Sequence, residues 1–361
     1  MTTLPEKEKI PAKYKLLEKY LKIIELENHS SESNIVKDKK IKGIKGIKGI
    51  KEIKGIKGIK EIKEIKEIKG IKMLFSSALF AEHIDFDLAY FPLKHLGYKV
   101  IVATMTDILA MNGKPTQVRI NMALSNRFSE DAIDELMSGM ILCCSKFNIA
   151  ITSLDFKPSA TGLYIATSMT GEVENGEEVF RNGVKEHELI CVTGDLGSAY
   201  AGLILLEREN KVFQADPSQQ PDFIGVDYLL ERYLKPEPPN FEALRAASIK
   251  PTSMINLKEG LATGLIHLCN ESKSGCTIFE EKLPIEILTF DKLKELGIVA
   301  TTIALNGGED YELLFTVKQE DYEKIKEIKE ISVIGYMTSE SDGRHIITND
   351  NKQFELRAQG F

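Results

Sequence analysis

No stretch of this chain approaches the roughly 18 consecutive apolar residues of a membrane-spanning helix, so a spanning protein is not expected. The opening residues MTTLPEKEKIPAKYK are charged and hold no apolar h-region, so no secretory leader is expected either. The five cysteines (Cys143, Cys144, Cys191, Cys269, Cys276) form no C-x-x-C pair. That argues against a zinc site or a disulfide framework and points to the reducing cytoplasm. The six histidines make no H-x-x-x-H or H-E-x-x-H pattern, and neither a P-loop nor a G-x-G-x-x-G occurs. The usual zinc and nucleotide fingerprints are therefore missing.

What is present is ordinary globular composition, 43% hydrophobic and 28% charged over 361 residues, enough chain for two domains. The net charge of −7 hides a division. Residues 37–72 carry 14 Lys against 5 acids, leaving a net of −16 for the rest. An acidic body does not read as a nucleic-acid binder. The basic part is ten successive Ile-Lys-Gly or Ile-Lys-Glu triplets from Ile41 to Gly70. A period of three fits neither the 3.6 of a helix nor the 2 of a strand. The expectation is low-complexity, mostly disordered chain, with the glycine-poor Ile59–Lys69 as a possible helix; a basic arm for an anionic surface is the other reading.

Around this repeat the pattern is mixed α/β. Tyr14–Leu26 reads as an amphipathic helix. Helices are expected at Leu93–Met111, after Ser129 to about Phe147, at Ser198–Glu209, Leu261–Asn270 and Gln319–Lys329. Strands are expected at Gln117–Leu124, Ile149–Leu154, Leu163–Glu172, Leu189–Thr193, Ser253–Leu257, Thr277–Phe279 and Tyr311–Val317, with a hairpin at Asp342-Gly343. The polar stretch from Glu174 to Gly183 marks a boundary. The expected organisation is a helical region at 1–40, the repeat at 41–72, a dimerising ATP-binding-type domain at 73–175 and a second domain at 180–361.

Several constellations could carry chemistry. Thr193-Gly194-Asp195-Leu196-Gly197-Ser198 is a strand-to-helix turn, whose glycines and helix N-terminus suit an anion or simple packing. Asn306-Gly307-Gly308-Glu309-Asp310-Tyr311-Glu312 stands before an apolar strand and reads as a ligand-facing loop or a tight turn. Asp107 sits among apolar residues of a helix, where an acid needs a partner or a metal. Asp155 ends a strand, a place where carboxylates often meet ligands.

Taken in order, TDILAMNG, TGDLG, PTSMI and NGGEDYELLFTV resemble the thiamine-monophosphate kinase family of the aminoimidazole ribonucleotide synthetase-like superfamily. The likeness extends over roughly residues 82–361. It implies a two-domain fold of mixed α/β sheets, Mg²⁺-dependent use of ATP to phosphorylate thiamine phosphate, and a homodimer whose N-terminal domains pair. Carried over by position, Asp107, Asp155 and Glu259 stand for metal ligands, and Asp155, Arg181 and Lys258 for nucleotide contacts. Asp85, Glu309 and the terminal Phe361 fall on the substrate side.

The sequence also departs from the family pattern. A motif that should end in paired aspartates starts at Ile41-Lys42-Gly43-Ile44 and runs into the repeat. Ala78 stands where a metal-binding Asp is expected, and Asp85 where a substrate-contacting His is expected. Asn256-Leu257-Lys258-Glu259-Gly260 replaces Asp-Ile-Ser-Asp-Gly, and Leu154 replaces a glycine beside Asp155. Two functions follow: a kinase with altered metal binding, or a catalytically silent relative that keeps the dimeric fold as a binding protein.

Overall fold

The computed structural model describes residues 19–20, 66–68, 70–239 and 242–359. Two sheets dominate. The first has the order β1-β2-β5-β3-β4, built from β1 (Lys66–Ile68), β2 (Ile71–Ala81), β3 (Lys114–Leu124), β4 (Ala150–Pro158) and β5 (Leu163–Glu174). Only the β3–β4 pair is parallel. One face of this sheet is covered by α1 (Leu93–Leu109), which lies across β2 and β5, and by α2 (Glu130–Phe147), which packs on α1 and β4. The sequence dictates the ends of α2: Ser129 accepts a hydrogen bond from the Ala132 amide, Glu130 and Asp131 fill the first turn, and Asn148 closes it in the left-handed conformation. Alternating residues of the strands, Val118, Ile120 and Met122 on β3 and Leu163, Ile165 and Met169 on β5, form the core under the helices.

The second sheet has the order β12-β11-β8-β10-β6-β9-β7. Its strands are β6 (Leu189–Thr193), β7 (Ser253–Leu257), β8 (Ser274–Phe279), β9 (Glu312–Val317), β10 (Ile331–Ser339), β11 (Arg344–Ile347) and β12 (Gln353–Glu355). The helices α3 (Ser198–Ala215), α4 (Asp227–Leu234), α5 (Leu261–Ser272), α6 (Ile287–Glu295) and α7 (Ala300–Asn306) accompany it. β7 and β9 are buried along their whole length, the polar Ser253, Asn256, Glu312 and Thr316 included. The two halves meet where the C-terminal end of α1 approaches β7.

Three expectations need correction. Gln319–Lys329 is not a helix but a 3-10 turn at Gln319–Asp321 and one α turn at Tyr322–Ile325. Between Gln319 and Lys329 only Tyr322, Ile325 and Ile328 are apolar and only Ile325 is fully buried, too little burial to hold a longer helix. No hairpin forms at Asp342-Gly343: β10 and β11 lie on either side of β8, and β11 pairs instead with β12. Within the repeat, Lys66–Ile68 is a strand rather than helix, joined to β2 through Gly70 at φ 84° and paired Ile68 to Ile71. The remainder of the repeat, most of the expected Tyr14–Leu26 helix and Phe361 lie outside the described residues. Of that helix, Lys19 and Tyr20 are helical, and Tyr20 is buried with its hydroxyl donating to Asp134.

Candidate functional site

A cavity of about 640 Å³ opens at the junction of the two halves. Its first wall is β2 (Ser77, Ala78) together with Ala103 and Asp107, which are four residues apart and so share one face of α1. Phe180, Arg181 and Asn182, on the segment that joins the sheets, form the second wall. The floor is Ile255 and Asn256 at the end of β7, followed by Lys258, Glu259 and Gly260. Thr263, His267 and Glu271 complete it from α5, again at a spacing of four. Gly260 is needed here: its φ is 96°, and a Cβ would lie 2.7 Å from the Leu305 carbonyl.

Four residues singled out from sequence, Asp107, Arg181, Lys258 and Glu259, are thus brought into one cavity. Asp107 is held on both oxygens. The Ser76 hydroxyl donates to Oδ2 at 2.8 Å and the Asn256 amide to Oδ1 at 2.9 Å. Lys258 and Glu259 are exposed at the rim, with the Lys258 ammonium 6.0 Å from the centre of the Phe80 ring. Asp155 does not line this cavity; it sits on β4 opposite Asn121, with Lys157 Nζ 3.4 Å from its carboxylate. Among the described residues, no group of three or more His, Cys, Asp or Glu could hold a metal ion. The donor set therefore offers a resident magnesium no preassembled cage, and Asp107, one of the carboxylates present, already accepts on both oxygens.

A second cluster lies beside the first, because the Glu309 amide donates to the Lys258 carbonyl at 2.8 Å. Glu309 and Tyr311 both take left-handed conformations, at φ 63° and 53°. This folds the loop so that the Glu309 carboxylate pairs with Lys99 and accepts from the Tyr311 hydroxyl at 3.1 Å. Lys99 is buried, donates to the Tyr233 carbonyl at 2.8 Å and sits 3.7 Å from that ring's centre. Burial lowers its pKa, and the Glu309 carboxylate works in the opposite direction. Asp85 spends one oxygen on the Ala81 amide of its own turn, 2.8 Å away. Sequence reasoning missed Lys99, a lone lysine in the apolar run GYKVIVA, because no spacing or motif marks its burial.

The Thr193–Ser198 turn does not wait for an external anion. The Asp310 carboxyl fills that end: both its oxygens accept from the Gly197 amide, at 3.1 and 3.0 Å, and Oδ1 also from Ala199. Arg232 ties the turn down, 3.2 Å from Asp195 and 3.0 Å from Glu312. Burial raises the Asp310 carboxyl to about 7, with Arg232 opposing, and raises Glu312 as well.

The AIR synthase related protein N-terminal domain family matches residues 65–173. The thiamine-monophosphate kinase of Buchnera aphidicola subsp. Acyrthosiphon pisum is 30% identical over 273 residues, covering 74% of this chain and 79% of the relative. The chain belongs to the thiamine-monophosphate kinase family. The Bacillus subtilis member is 28% identical over 285 residues, covering 78% of this chain and 84% of its own. The solved structure of AaThiL complexed with AMPPCP and TMP superposes with a TM-score of 0.70 at 23% identity, over 81% of this chain and 88% of that one. The family fold, a two-sheet AIR synthase-like architecture, is therefore shared.

Proposed function

We propose that this protein transfers the γ-phosphoryl group of ATP to thiamine monophosphate, giving thiamine diphosphate. The observation that carries this reading is the convergence of Asp107, Arg181, Lys258 and Glu259 in one cavity at the junction of the two halves. Direct transfer between phosphates needs little covalent help from the protein; it needs positioning and neutralisation of charge. Arg181 and Lys258 supply cations of the kind that pair with phosphate oxygens. Magnesium enters as part of the co-substrate, Mg-ATP; the carboxylates that line the cavity are Asp107, Glu259 and Glu271. The Glu309 loop, fixed through Lys99 and Tyr311, and Asp85 stand on the acceptor side in this reading. Asp155 belongs to this reading only as a carboxylate on β4, outside the cavity lining.

A homodimer is part of the same reading. The face of the five-stranded sheet away from α1 and α2 presents Ile71, Phe75 and Leu79 from β2 and Tyr164 from β5, all exposed. A run of this kind on one sheet face suits a second copy. A cytoplasmic setting is supported by the five cysteines, all buried free thiols. Among the described residues, no helix is long and apolar enough to cross a membrane.

The capped state of Asp107 favours a second reading, a silent relative that binds nucleotide without transferring phosphate. One assay separates the two: chromatographic detection of thiamine diphosphate from thiamine monophosphate and Mg-ATP, with Asp107→Asn as control. The kinase reading predicts product from the wild type and at least about a hundredfold less from the variant. Folded protein that yields none contradicts it.

A further inference from the structure

The misfit between this donor set and a resident metal has a consequence for how phosphate is held. Asp107 is the acid set deepest in the cavity wall, and Ser76 and Asn256 each donate to a different one of its oxygens. A carboxylate whose lone pairs are directed at two fixed donors has less to offer a cation. Asn256 is buried apart from the side that lines the cavity, so its amide loses a charged acceptor if Asp107 swings toward a metal. The same cavity is lined by Lys258 and Arg181, and Lys258 is exposed, a long cationic side chain of the kind that meets phosphate.

We infer that this cavity grips the phosphates of a nucleotide through Lys258 and Arg181 without requiring a divalent ion, with Asn256 locking Asp107 in the position a metal bridge would otherwise hold. The inference rests on the nucleotide reading of the cavity. Asn256 is then a specificity-determining residue: its amide sets whether the site depends on metal. With Asp at this position, two carboxylates would stand within hydrogen-bonding distance of each other. Their repulsion would have to be relieved by a proton or a cation.

Calorimetric titration of the full chain with AMPPCP, in magnesium chloride and again in EDTA, tests this directly. The wild type should bind with affinities within about threefold of each other in the two buffers. Asn256→Asp, checked for an unchanged melting profile, should bind in magnesium and lose at least about tenfold in EDTA. Lys258→Met, at an exposed position that folding does not depend on, should lose about tenfold or more in both buffers. Wild-type binding that collapses in EDTA overturns the inference and leaves the kinase reading standing. Absence of AMPPCP binding in both buffers overturns the kinase reading as well.

Discussion

At the scale of single residues, the most heavily constrained group is Arg232. It is half-buried between Asp195 and Glu312, with Asp310 close enough to help hold its charge. Desolvation works against the guanidinium, but the three carboxylates together outweigh it and raise its pKa. Removing it leaves buried acids without a counter-charge, so Arg232→Ala should cost about 3–5 kcal/mol in urea denaturation. Asp310 has a different signature. Burial holds its carboxyl at about 7 against an ordinary 3.8, so between about pH 4 and 7 the folded protein keeps a proton that the unfolded chain releases. Stability should therefore fall as pH rises through that window and level off above it. Asp310→Asn should flatten part of this slope, leaving the share due to Glu312; urea midpoints measured between pH 4.5 and 8, a range chosen to bracket that window, read it out. A slope unchanged by the substitution contradicts the assignment. None of this was legible in the sequence. GEDYE shows acids before a strand, but not that one of them turns back to cap the helix after Gly197.

At the scale of elements, α1 and α2 meet through two glycines. A Cβ at Gly97 would stand 2.0 Å from the Leu136 carbonyl, and one at Gly139 would stand 1.8 Å from that of Lys94. These are backbone obstacles, which no side-chain rotation relieves. Gly139→Ala should force the helices apart and cost about 1–3 kcal/mol or more, visible as a lower melting temperature. Loss of stability no larger than that of an exposed helix substitution contradicts the close crossing. The helices themselves were readable, α2 down to its Ser129 cap, because their apolar spacing and end signals agree. β2 was not, and the reason is physical: its outward residues Ile71, Phe75 and Leu79 are as apolar as the inward Leu74 and Phe80. Alternation, the usual mark of a strand, is thereby erased. The cavity was half legible. Asp107, Arg181, Lys258 and Glu259 stood out, while Thr263, His267 and Glu271 carry only a spacing of four that any packed helix also shows.

At the scale of the whole molecule, the proposed dimer face on β2 and the proposed nucleotide cavity can be tested separately. Leu79 is 63% exposed, a large apolar side chain in water unless another surface covers it. Light scattering during gel filtration should report a dimer for the wild type and a monomer for Leu79→Asp. A wild-type monomer contradicts the pairing. The junction cavity draws its walls from β2, α1, the 180–182 segment, β7 and α5, so neither half has it alone. A smaller cavity of about 310 Å³, lined by Tyr90, Phe213 and Phe223 among others, is the competing place for an aromatic ligand. Photoaffinity labelling with 8-azido-ATP, followed by peptide mapping, decides between them. Label suppressed by excess ATP should fall on peptides carrying Phe180–Asn182 or Thr263–Glu271; label confined to peptides carrying Tyr90, Phe213 or Phe223 contradicts the placement of the nucleotide at the junction.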